Sequence, residues 1–196
     1  MDHLCEIDED LRLSRQAIGD PQPRYRPKGF ATLLQAIVAQ QISTKAAATV
    51  WARLTSRLSD EVTAENLLRL EKEDIQNCGL SWRKVDYAIA LAEAVTAQKL
   101  DFAKLQVASD LEAVKMISSL KGFGPWSAEI YLVFAEGRAD ICPSADLAIQ
   151  LAFQRLKKLE TKPTAKELIA FLEPWRPYRS AGCLFLWHLY GSTSLD

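Results

Sequence analysis

The chain is 196 residues long, with 48% hydrophobic and 25% charged residues and a formal net charge of −1. Such a composition excludes a disordered chain, and the length suits one large domain or two small lobes with a real core. The charge does not advertise a nucleic-acid partner, because a DNA-binding surface ordinarily carries a basic excess. A neutral average can still hide a basic face, and Arg24, Arg26 and Lys28, then Arg83 and Lys84, form separate clusters.

Cys5, Cys78, Cys142 and Cys183 are scattered without a CxxC pair. Neither zinc nor an iron–sulfur cluster finds its ligand spacing, so no metal is expected. No apolar run reaches the roughly 18 residues of a membrane span, and MDHLCEIDED is acidic rather than signal-like. A chain in the reducing cytoplasm, with no membrane attachment, is the expectation.

Apolar positions recur at helical spacing almost throughout, and no stretch alternates with period two for long, so the fold is expected to be all-α. A first helix fits Asp2 to Ile18, stopped by Gly19, and the Pro-rich DPQPRYRPKG that follows cannot continue it. FATLLQAIVAQQ and STKAAATVWARLTSRL predict two helices broken at Gln41 to Ser43, with Ser43 capping the second. Further helices fit Ala64 to Leu70, Lys72 to Asn77, Trp82 to Ala97 after a Ser81 cap, and Asp110 to Ile117 with a Ser109/Glu112 capping box.

In LKGFGPWSAEIYLVFAEG, Gly122 and Gly124 predict a tight turn, Pro125 the first position of a helix and Gly137 its stop. Ser144 is expected to cap a helix to about Lys157. Thr164 and Glu167 box another, and Pro177 to Tyr190 makes a closing apolar helix.

Two features could carry chemistry. A Gly-x-Gly turn opening a helix can aim successive backbone N–H groups at an anion such as a DNA phosphate, or it can be an ordinary αα-hairpin loop. Asp146 lies about 20 residues further on, at a helix N-terminus. There an acid can simply complement the helix dipole, or can face a substrate. Trp126, Tyr131, Phe134, Trp175, Tyr178, Phe185, Trp187 and Tyr190 gather late in the chain, where rings either fill a core or line a pocket. His3 and His188 have no neighbour at metal or triad spacing.

FATLLQAIVAQQISTKAAATVWARL, CGLSWRK, LKGFGPWSAEIYLVFAEGRADICPSADLAI and WRPYRSAGCLFLWHLY, in this order over about residues 10 to 190, resemble the helix-hairpin-helix DNA glycosylases. The likeness is to the 3-methyladenine DNA glycosylase II branch. It implies an all-helical fold of two lobes, about 30–115 and 1–29 with 116–196, and a cleft between them. The chain resembles the compact subset of the family, for which no N-terminal β lobe is expected.

The resemblance makes Asp146 the catalytic carboxylate. It makes Gly122, Phe123, Gly124 and Pro125 the phosphate-holding hairpin, sometimes with a monovalent cation on nearby carbonyls. It gives Gln41 the role of the residue pushed into the gap left by a flipped base, with Ile42 and Ser43 beside it in the minor groove. Trp126 and Trp187 would present rings to the damaged base, Ile130 stands where larger enzymes have a pocket aromatic, and Arg179 and Ser180 would close the site on DNA. Bifunctional relatives carry a lysine where this chain has Trp126, which removes amine-based lyase chemistry.

The implied partner is duplex DNA with alkylated bases, met by a monomer without a resident cofactor. The alternatives are a glycosylase for oxidised or mismatched bases and a non-catalytic DNA-binding module.

Overall fold

The computed structural model describes residues 1–192, which are helical with no strand among the described residues. The helices are α1 (Asp2–Ile7), α2 (Glu9–Ile18), α3 (Phe30–Ala39), α4 (Thr44–Arg57), α5 (Ala64–Leu68), α6 (Lys72–Asn77) and α7 (Trp82–Thr96). They continue with α8 (Phe102–Val107), α9 (Asp110–Ser118), α10 (Pro125–Phe134), α11 (Leu147–Leu156), α12 (Ala165–Phe171) and α13 (Arg179–Ser192). Two compact units share them: Arg26–Tyr131, and Met1–Tyr25 together with the chain from Leu132 onward.

In the Arg26–Tyr131 unit, α3 and α5 each pack on α7 through side chains such as Leu34, Ile37, Leu67, Val85, Ala88 and Leu91, all buried. Each large apolar side chain so enclosed contributes about 1.5–3 kcal/mol. Residues 116–131, grouped with the termini by the sequence reading, belong here. The Tyr131 hydroxyl accepts the Gly29 N–H at 2.8 Å, and Gln40 Nε2 donates to the Gly122 carbonyl at 2.9 Å.

In the other unit, α11 and α13 pack around Phe153, Phe185 and Leu186. Gly182 is required in α13, because a Cβ there would run into the Trp175 ring.

The single helix expected over 2–18 is two helices, and Asp8 is the reason. Its backbone is extended (φ −135°, ψ 103°), and its carboxylate caps α2 by accepting the Leu11 N–H at 3.1 Å. The same carboxylate accepts Trp175 Nε1 at 2.9 Å and Lys157 Nζ at 2.6 Å, although Asp8 is only 8% exposed. Continuing the helix would forfeit these bonds.

Two short elements escape the periodicity. They are α8, capped by Asp101 through the Ala103 and Lys104 N–H groups, and a 3-10 turn at Glu173–Trp175. The closing helix starts at Arg179 rather than Pro177.

Asp8→Ala removes a cap and leaves the buried Trp175 N–H without its acceptor, while Lys157 keeps Asp10 as a partner. The expected loss is about 2–4 kcal/mol, read as a lower urea midpoint at unchanged m-value. A loss under about 0.5 kcal/mol would remove Asp8 as the organiser of this unit.

Candidate functional site

Asp146, not Ser144, caps α11. The segment before the helix turns at Pro143, whose carbonyl accepts the Asp146 N–H at 3.0 Å, so Ser144 sits two residues too early to cap. Ser144 is buried, and its carbonyl accepts Gln150 Nε2 at 2.7 Å. Asp146 Oδ1 accepts two hydrogen bonds, from the Ile149 N–H and from Trp187 Nε1, each at 3.1 Å. One oxygen of the carboxylate is thereby fixed by a helix end and by an indole, and a half-buried carboxylate is held in one direction.

Trp187 is itself held. Its ring lies 5.3 Å from the Phe134 ring at 33°, and it packs against the core of its unit. The space lined by Trp187, Phe134 and Pro21 is about 20 Å³, room for a water rather than a base. The Trp187 indole thus helps to aim Asp146.

Arg179 and Ser180, expected on DNA, lie inside. Arg179, 8% exposed, donates from Nε and Nη2 to the Asp140 carboxylate at 2.7 and 2.9 Å, and from Nη2 to the Asp140 carbonyl at 2.9 Å. The Ser180 hydroxyl, 4% exposed, accepts the Ile141 N–H at 2.9 Å and donates to the Ile141 carbonyl at 3.1 Å. Both pin the segment that leads into Asp146, and burial in that clamp takes them off the surface that DNA could touch.

In the Arg26–Tyr131 unit the other candidates converge. Gln41 adopts the left-handed conformation (φ +56°), uncommon for a residue with a side chain and costing on the order of 1 kcal/mol. Gln41, Ile42 and Ser43 form an exposed turn, and Ser43 caps α4 by accepting the Ala46 N–H. Lys84 Nζ donates to the Val38 carbonyl at 2.8 Å and Gln40 reaches Gly122, so the chain leading into the strained turn is tied down twice. Of the Arg83/Lys84 cluster, Lys84 is therefore partly spent on structure, and Arg83 lies over the Tyr87 ring at 5.8 Å.

A cavity of about 390 Å³ opens between α3 and α10, lined by Gln40, Gln41, Trp126, Ser127, Ile130 and Arg26 among others. That volume suits a small ligand. Trp126 is 46% exposed. The hairpin next to it has Gly122 at φ +91° with its Cα against the Tyr87 ring, where any Cβ would overlap the ring. Phe123 is buried beneath the turn, Gly124 follows, and exposed Pro125 opens α10.

The family model for the HhH-GPD superfamily of base excision DNA repair proteins matches residues 34–177, which takes in the strained turn, the glycine hairpin and Asp146. The chain belongs to the HhH-GPD superfamily. DNA-3-methyladenine glycosylase 1 of Schizosaccharomyces pombe is 27% identical, covering 94% of this chain and 84% of that protein. The DNA-3-methyladenine glycosylase of Saccharomyces cerevisiae is 31% identical, covering 85% and 68%. Among solved structures, DNA-3-methyladenine glycosidase from Bacillus halodurans superposes with a TM-score of 0.89 at 29% identity, covering 96% of this chain and 87% of that one. The 3-methyladenine DNA glycosylase of S. pombe in complex with abasic DNA superposes with a TM-score of 0.80 at 26% identity, covering 98% and 95%.

Within this HhH-GPD chain, sequence reasoning missed Glu129. It is the lone acid in the apolar PWSAEIYLVF of α10, one turn beyond Trp126, and that isolation was the available signal. Burial pushes its carboxyl up to about 7 from an ordinary 4.5. The folded protein therefore keeps a proton that the unfolded chain releases. The stability this contributes is complete below about pH 4.5 and is lost as pH rises through about 7. Glu129→Gln removes that dependence. Thermal unfolding should show the variant gaining on the parent between pH 5 and pH 8, and a constant difference would show that the carboxyl is not buried in this way.

Proposed function

We propose that this chain is a monofunctional DNA glycosylase that excises alkylated purines, of the 3-methyladenine and 7-methylguanine type, from duplex DNA in base excision repair. The observation that carries the reading is the aimed carboxylate of Asp146, in a chain similar over most of its length to DNA-3-methyladenine glycosylases.

In this reading a damaged nucleotide rotates out of the duplex at a cost of a few kcal/mol, and Gln41, presented on its strained turn, fills the gap. A purine methylated at N3 or N7 is cationic, so the Trp126 ring attracts it more than it attracts a neutral base. The N-glycosidic bond then breaks with its electron pair going to the base, which leaves neutral, and positive charge develops on the sugar. Asp146 stabilises that charge, and water adds at the anomeric carbon and gives up a proton. Trp126 has no amine to attack that carbon, so strand cleavage through a Schiff base does not follow.

Protein side chains and water suffice for this route, with no metal or cluster. A monovalent cation on the hairpin carbonyls would have to share the Gly122 oxygen with the Gln40 amide. The enzyme is read as a monomer acting in the cytoplasm, a reducing setting that its four cysteines, none in a disulfide, suit. Among the described residues no helix is long and apolar enough to cross a membrane.

Incubation with methylated duplex DNA should release free 3-methyladenine while leaving the strand unnicked until alkali is added. Retention of every base would leave only a DNA-binding module, and nicking without alkali would indicate a lyase. Trp187→Phe keeps a ring and deletes the N–H that holds Asp146. Release at saturating DNA should slow about tenfold, the scale of one hydrogen bond to a charged group.

A further inference from the structure

One hollow of the Arg26–Tyr131 unit is unused by the proposed chemistry. It is an open groove of about 1050 Å³ between α4 and α6, with Lys45, Thr49, Ala52 and Arg53 on one side and Asp74 and Cys78 on the other. α4, TKAAATVWARLTSR, contains no acid and three cations, in a chain whose acids outnumber its bases 25 to 24. The one acid of the far wall is already neutralised, since Arg57 Nη2 meets Asp74 Oδ2 at 2.7 Å. Burial pushes the Cys78 thiol up, so it adds no negative charge there. Lys45 and Arg53 form no ion pair with any described residue.

We propose that this groove is a second anchor for duplex DNA, in which Lys45 and Arg53 hold phosphates of the backbone as it leaves the Gln41 turn. The proposal rests on the glycosylase reading above. α4 starts at the residue after Ser43, so a duplex entered by Gln41 runs past its first turns. Lys45 and Arg53 are eight residues apart, about 12 Å along the helix, which is the axial rise of three to four nucleotides of one strand. The side chains between them on that face, Ala48, Thr49 and Ala52, are short enough to let a backbone lie close. Charge complementarity selects the occupant, because two unpaired cations over a neutral floor attract a polyanion and repel a basic partner.

The test is the salt dependence of binding to a fluorescent duplex containing a stable abasic-site analogue, followed by anisotropy from about 50 to 300 mM KCl. Losing two phosphate contacts should lower the slope of log K against log salt by about 1.8, and weaken binding at the low-salt end at least about tenfold. The double variant Lys45→Ala/Arg53→Ala should show both effects. Lys99→Ala/Lys115→Ala, which removes two cations outside the groove, should change the slope by less than about 0.5. Ala52→Glu places an acid on the groove floor and should weaken binding without removing either cation, which guards against a misfolded double variant. Wild-type slope and affinity in both groove variants, with a parent that binds the duplex, would overturn the anchor alone. A parent that does not bind the duplex would overturn the glycosylase reading and the anchor with it.

Discussion

The account turns on one oxygen. Asp146 Oδ1 receives the Ile149 N–H and the Trp187 Nε1–H at equal distances, so a helix terminus and an indole jointly hold a carboxylate in place. Capping alone would make Asp146 a structural acid, as Asp101 and Asp8 are. The added indole donor narrows its direction, and the elements around it serve that geometry. Phe134 braces the indole, while Arg179 and Ser180 clamp the Asp140–Ile141 segment that leads into the cap. A carboxylate so preorganised can stabilise a developing cation with little reorganisation when the bond breaks.

The Arg26–Tyr131 unit shows a comparable economy. Gln41 holds an uncommon backbone conformation just after Val38 and Gln40, which are tied to Lys84 and Gly122, and Gly122 lies so close to Tyr87 that no side chain fits. Such strain is tolerated where the surroundings over-determine it, and it places an amide side chain on an exposed turn. A neighbouring cavity lined by Trp126 and Ile130 gives an aromatic wall close to that turn. A chain of neutral overall charge can still grip a polyanion if its cations are segregated, and the acid-free helix after Gln41 is such a segregation.

Much of this was legible in the amino-acid order because local chemistry dictates it. Ser43, Ser81, Ser109 and Thr164 cap the helices that their side chains announced, and Pro125 opens α10 after the glycine turn. What failed needed tertiary information. The break at Asp8 is invisible to helical periodicity, since it is fixed by Trp175 and Lys157, residues more than a hundred positions away. Ser144 and Asp146 both look like caps, and only the turn at Pro143 decides between them. The family resemblance alone puts Arg179 and Ser180 on DNA, yet their partners at Asp140 and Ile141 take them inside.

The role of Asp146 is tested most directly by single-turnover base release from a 7-methylguanine duplex with Asp146→Asn, which keeps the shape and deletes the charge. The account predicts DNA affinity close to that of the parent and release slower by at least about a hundredfold, the usual scale for one electrostatic group aimed at a transition state. Release within a few fold of the parent would contradict it and return Asp146 to the role of a helix cap.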